Sequence, residues 1–147
     1  MAFRMERVIH APVETVFGLL ENPEQRKSWT EGLEETTYTH VPQDGSRVGT
    51  TFVERVREGG RITEYSGRLT AFEPNRLIAV EIGNRHFTMA IRYDLSENNG
   101  SCRILYSGEM QPHTLLGRMV GFLFGWLTRK IARKQLGNLT RVAESRS

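Results

Sequence analysis

Glu54 is the acidic side chain whose surroundings point to chemistry. It lies in the run Thr51-Phe52-Val53-Glu54-Arg55-Val56-Arg57, where Arg55 and Arg57 take one parity and Phe52, Glu54 and Val56 the other. In a strand, one parity is one face. A carboxylate that shares a face with apolar neighbours loses water, and that desolvation raises its pKa toward the range of a general base. The same position also suits a carboxylate near a strand end, paired with an arginine or left wet. Tyr65, Tyr93 and Tyr106 take the inward parity of three further runs. There their phenols either orient a ligand's carbonyl or phenol, or pack in the core with the hydroxyl at the rim. Trp29 either closes the mouth of a cavity or packs in the core.

Other chemistries lack their residues. His10, His40, His86 and His113 lie far apart on different elements, none at metal-ligand spacing, and each reads as a surface residue. Cys102 is alone, so it forms neither an internal disulfide nor a cysteine metal site, and it reads as inert and half-buried. No Ser/His/Asp triad, phosphate loop or dinucleotide fingerprint is present, and no metal or cofactor is expected. The net charge of +3 is mild, and the basic residues are spread along the chain apart from a group at Arg129–Lys134, unlike a nucleic-acid binder. Met1-Ala2-Phe3-Arg4-Met5-Glu6-Arg7 lacks the apolar run of a signal peptide. Leu115–Leu127 contains Arg118 and is too short for an ordinary membrane span. A cytoplasmic, soluble protein is the expectation, and 147 residues suit one domain, 1–147.

The elements that must position these residues follow from periodicity. Phe3–Ile9 reads as a strand. Pro12 opens a helix whose apolar face is Val13, Val16, Phe17 and Leu20, and Asn22-Pro23-Glu24 restarts a second, short helix to about Trp29. The period then becomes two over Leu33–Val41, Val48–Glu58, Arg61–Phe72, Leu77–Ile82, His86–Ser96 and Ser101–Met110. Gly59-Gly60, Gly83-Asn84 and Asn98-Asn99-Gly100 are hairpin turns by composition, so the strands form an antiparallel meander. Parity turns Phe52, Tyr65, Phe87, Met89, Ile91, Tyr93 and Tyr106 to one face, which only a long helix can cover.

That helix runs from His113 to about Ala143, with Thr114 as N-cap. Its two faces disagree. Leu115, Leu116, Met119, Val120, Leu123, Trp126 and Leu127 form one stripe, while Gly117, Gly121 and Gly125 lead into Ile131, Ala132, Gln135, Leu136, Leu139 and Val142 on the other. Glycines in mid-helix cost about 1 kcal/mol each relative to alanine, so three of them imply a steric reason, either close approach to the sheet or cavity space. The apolar stripe must then bend inward, be covered by the first two helices, meet a second copy in a homodimer, or rest on a membrane surface. Of the last two, the homodimer is preferred.

Four stretches resemble one family. They are Val8-Ile9-His10-Ala11-Pro12-Val13-Glu14-Thr15-Val16-Phe17 with Asn22-Pro23-Glu24 and Trp29, then Gly49-Thr50-Thr51-Phe52, then Gly67–Leu77, and last Leu136–Val142. In this order they resemble the START-like, polyketide cyclase/dehydrase-like (SRPBCC) superfamily over nearly the whole chain. The resemblance implies an α+β helix-grip fold, a curved antiparallel sheet of about seven strands around a long C-terminal helix, with a hydrophobic cavity between them. Trp29, Phe52, Glu54, Tyr65, Phe87, Met89, Tyr93, Tyr106, Gly121 and Gly125 are the expected lining. The expected function is binding of a small hydrophobic ligand such as a lipid or polyketide, for transport or sensing. The alternatives are a cyclase/dehydrase-type enzyme using Glu54, and an interaction module that docks through the long helix.

Overall fold

The computed structural model describes residues 2–146, except for the side chains of 120–128. Strand β1 (Ala2–Ile9) leads into α1 (Val13–Glu21) and the short α2 (Pro23–Arg26). Strands β2 (Leu33–His40), β3 (Thr51–Glu58), β4 (Arg61–Glu73), β5 (Leu77–Gly83), β6 (Phe87–Asn98) and β7 (Ser101–Pro112) follow, and α3 (Leu115–Ser145) ends the fold. The strands form one curved antiparallel sheet in the order β1-β7-β6-β5-β4-β3-β2. Consecutive strands from β3 to β7 are neighbours because short turns join them, β2 pairs with β3 across the longer connection 41–50, and Asn75 and Asn99 take the positive φ their turns require. This is the helix-grip arrangement of an α+β fold.

Several boundaries differ from the expectation, and β3 begins at Thr51 rather than Val48. Helix α2 stops at Arg26 instead of continuing to Trp29, and residues 27–29 form turns. Asn22 caps it, its Oδ1 accepting from the backbone N–H groups of Glu24 and Gln25 at 2.9 and 3.2 Å. Strand β7 runs on to Pro112, opposite Phe87, and β6 runs on to Asn98, opposite Ser101, because their ladder continues past the apolar alternation. A register shift between Leu69 and Ala71 in β4 breaks strict alternation, and Phe72 packs against the core beyond it.

The core is densest where α1 and the C-terminal half of α3 meet β1 and β7. Ile9, Val16, Leu19, Ile104 and Leu139 are fully buried there, each worth about 1.5–3 kcal/mol relative to exposure. Cys102 is fully rather than half-buried, and burial pushes its thiol up to about 11. Ala132, Leu136, Leu139 and Ala143 form the buried face of α3, whereas Ile131, expected on that face, is 52% exposed at its margin.

The N-terminus of α3 is fastened to the β5–β6 hairpin. Thr114 Oγ1 accepts from Gly117 N–H at 3.1 Å and lies 3.0 Å from His86 Nδ1, while His113 N–H donates to His86 O at 2.8 Å. His113 Nε2 is 2.6 Å from Thr88 Oγ1. His86 and His113, read as unconnected surface residues, thus share one junction. Gly117 is buried in it, and a Cβ there would collide with the His86 carbonyl oxygen. The described beginning of the apolar stripe, Leu115, Leu116 and Met119, faces outward. Leu123, Trp126, Leu127, Gly121 and Gly125 lie outside the described side chains, so their roles in the cavity and the stripe are not placed.

Candidate functional site

Parity delivers the inner face of β3. Thr50, just before the strand, Phe52 and Glu54 are all buried and follow one another at two-residue steps. The Phe52 ring lies against Gly67 of β4, where a Cβ would meet it. On β5, Glu81 ion-pairs with Arg68 on the outer face, which leaves Ile78, Val80 and Ile82 inward. Their partners across the ladder are Tyr93, Ile91 and Met89 of β6.

Above this surface, three adjoining hollows run between sheet and helices, and Arg26 belongs to the wall of each. The first, about 50 Å³, lies under α1, α2 and the β2–β3 connection, with Tyr38, Arg47, Thr50, Phe52 and Leu69 among its walls. The second, about 110 Å³, is enclosed by Leu20, Arg26, Trp29, Phe52, Glu54, Ile78, Val80, Ile82, Ile91 and Tyr93. The third, about 240 Å³, opens toward α3 between Trp29, Thr30, Met89, Tyr93, Tyr106, Ile131 and Gln135. A wider depression on the outer face of the sheet, over Ala79, Ala90 and Ser107, is open to solvent and lacks such walls.

Glu54 is buried, and its partner is Arg26, whose guanidinium contacts Oε2 directly. Thr36 Oγ1 donates to the same oxygen at 3.3 Å. Four-residue helix α2, held by the Asn22 cap, therefore serves to place one arginine over β3. The arginine offsets the water the carboxylate loses, and removing either partner would strand a buried charge. The arginine-paired alternative for Glu54 is the arrangement found, but away from the strand end and inside the cavity wall.

The phenols differ among themselves. The rings of Tyr93 and Tyr106 pack at a tilt, with centroids 4.9 Å apart. Burial pushes the Tyr93 hydroxyl well above its ordinary pKa; Tyr106 adds to the rise, Arg26 opposes it and Glu54 adds again. Burial also raises Tyr106, to about 12. Both are neutral hydrogen-bonding groups near pH 7. Tyr65 instead donates to Glu58 Oε1 at 2.8 Å, and burial and that bond raise its pKa. The rings of Tyr65 and Phe87 meet at a tilt, centroids 6.4 Å apart, and line none of these three hollows. Trp29 is 5% exposed; its Nε1 donates to Leu19 O at 2.7 Å, and the ring forms a wall between the second and third hollows.

Of the expected lining, Trp29, Phe52, Glu54, Met89, Tyr93 and Tyr106 each border at least one of these three hollows. The sequence reading missed Arg26, Leu20, Thr50, Ile78, Val80 and Ile82. Glu81 could have fixed the face of β5 by parity. Nothing local marks Arg26, since four helical residues are too few to show a period.

Among the described residues, no group of three or more histidine, cysteine or acidic side chains could hold a metal, and no helix is long and apolar enough to cross a membrane. The family model described as polyketide cyclase/dehydrase and lipid transport matches residues 1–144. No curated protein matches the chain by sequence. Among solved structures, the chain is similar to the Zhui aromatase/cyclase of Streptomyces sp. R1128, with TM-score 0.78, 13% identity, and 99% of this chain and 94% of that one covered. It is also similar to a protein of Thermus thermophilus, with TM-score 0.70, 16% identity and coverage of 99% and 96%. Ara h 8.0201 aligns with TM-score 0.69, 14% identity and coverage of 95% and 97%. Identities this low speak for the fold alone.

Proposed function

The chain belongs to the polyketide cyclase/dehydrase and lipid transport family, and from that premise we propose that it binds a small hydrophobic molecule, such as a lipid or polyketide, in the connected hollows between sheet and α3. The observation that carries this reading is the second hollow, whose wall is apolar on all sides but for Arg26, Glu54 and the tip of Tyr93. Ligand sites commonly combine mostly apolar walls with a few placed polar groups. The paired Arg26 and Glu54 orient a ligand without presenting an uncompensated charge to it. Native mass spectrometry of the protein purified from its own host tests the proposal. A retained hydrophobic molecule that leaves on denaturation is the expected result. Bare protein that also fails to take up added aromatic or lipid probes would contradict it.

One observation favours a second reading. Glu54 and Tyr93, two titratable groups, share the wall of one hollow, as proton transfer on a polyketide-like substrate requires. In that reading Tyr93, held neutral, donates a hydrogen bond to a substrate carbonyl. Glu54 takes a proton from the adjacent carbon once the substrate displaces Arg26. Incubation with a poly-β-ketone should then give a cyclised product that Glu54→Gln abolishes. Binding without turnover would leave the carrier reading alone.

A further inference from the structure

The first hollow carries more polar groups than a plain apolar cavity needs, and all but one of the charged or buried ones have partners. Arg47 donates to Glu21 at 3.2 Å and lies over the Phe72 ring, 4.6 Å from its centroid. Arg26 and Thr36 both engage Glu54. The exception is Thr50. It is 3% exposed, lines the hollow, and its hydroxyl has no partner among the described residues. Its backbone is fully used, N–H to Arg47 O at 3.2 Å and O from Leu69 N–H at 2.9 Å, so the hydroxyl is the only orphan group of the residue. The next residue, Thr51, shows the contrast, with its hydroxyl 2.7 Å from that of Thr39.

A buried hydroxyl without a partner is unfavourable, by the desolvation of the group, unless something enters to bond it. We propose that Thr50 is a specificity subsite that hydrogen-bonds an uncharged oxygen, a hydroxyl or a carbonyl, on the ligand. This rests on the cavity-binding reading above and narrows it to a class of ligand. Two arginines on the wall of a hollow, Arg26 and Arg47, would by themselves favour a carboxylate ligand. Their pairing with Glu54 and Glu21 removes that demand, because two cations face two carboxylates and the mouth is formally neutral. A free carboxylate entering would have to break one of these pairs and leave a glutamate unpaired. A phenol or ketone would disturb neither, and its oxygen would complete Thr50 while its apolar body lies against Phe52, Ile78 and Val80. Thr30 repeats the pattern at the other end, with a buried, unpartnered hydroxyl on the wall of the third hollow. That residue is only half-buried, and the proposal stands on Thr50.

The test compares naphthalene, 2-naphthol and 2-naphthoate, titrated into wild type, Thr50→Val and Thr50→Ser. Wild type should bind 2-naphthol about three- to ten-fold tighter than naphthalene, the ratio one net hydrogen bond gives, and 2-naphthoate more weakly than 2-naphthol. Thr50→Val should bring naphthol and naphthalene to near equality with a melting midpoint no lower than wild type, and Thr50→Ser should keep the preference. Equal wild-type affinities for naphthol and naphthalene overturn the subsite while leaving the cavity reading intact, and this comparison needs no variant. A preference that survives in Thr50→Val, or naphthoate as the tightest ligand, overturns it as well. Failure of all three probes to bind wild type would remove the cavity reading itself.

Discussion

The pair that decides the character of the cavity is Arg26–Glu54. Glu54 is 5% exposed and Arg26 24%, so the carboxylate depends on the guanidinium more than the reverse. Replacing Arg26 with Met should destabilise the protein by about 2–4 kcal/mol, near or below the cost of breaking a fully buried pair because Arg26 keeps some water. The double variant Arg26→Met, Glu54→Gln should recover part of that loss, and urea denaturation of the set measures it. Equal stability of Arg26→Met and wild type would show that Glu54 does not need this partner. The phenols give a pH test. In the unfolded chain they ionise near pH 10, whereas burial raises Tyr106 to about 12 and lifts Tyr93 well above its ordinary value. Their contribution to stability is therefore fully present below about pH 10 and is lost as pH climbs through the folded values. A spectrophotometric titration should find these phenols neutral at pH 10 and ionising only as the protein unfolds. Ionisation near 10 in the folded protein would contradict their burial. Parity alone placed Glu54, Tyr93 and Tyr106 on the inner face, because strand alternation is a local property. Arg26 was not legible, since its role comes from a contact between a short helix and a strand 28 residues later. The need of a buried carboxylate for a cation was readable, but not which of the 20 Lys and Arg residues meets it.

At the scale of elements, the junction between α3 and the β5–β6 hairpin shows tertiary contact overruling helix propensity. Alanine is favoured over glycine inside a helix by about 1 kcal/mol, so a free helix would gain from Gly117→Ala. Here the added methyl would run into the His86 carbonyl. Gly117→Ala should therefore lower the melting midpoint and loosen the start of α3, seen as faster amide hydrogen exchange at His113 and Gly117. A variant more stable than wild type would mean that this junction is not close-packed. The Thr114 cap and the strand order were legible in advance from a capping residue ahead of an apolar stripe and from short turns between alternating runs. The stop of α2 at Arg26 and the shift in β4 were not. Both go with contacts between distant elements: the last residue of α2 meets Glu54, and beyond the shift Phe72 packs against Phe17, with rings 5.5 Å apart.

The whole molecule divides into an anchored end and an open one. Around Ile9, Ile104 and Leu139 the side chains leave no exposure, while the strands facing Arg26 carry half-buried Val80, Ile91 and Tyr93 around unfilled space. That division was anticipated only as space beneath a glycine-bearing helix, because a sequence shows which faces are apolar but not how completely they meet. The central claim is that the connected hollows receive a hydrophobic ligand, and filling them tests it most directly. Ile91 lines both the second and the third hollow. Ile91→Phe should occupy that space with a ring, leave the melting midpoint at or above wild type, and weaken binding of a neutral aromatic fluorophore at least about tenfold, a loss on the order of 1.4 kcal/mol. A folded Ile91→Phe protein that binds the fluorophore as tightly as wild type would contradict the claim, because the ligand would then sit somewhere else.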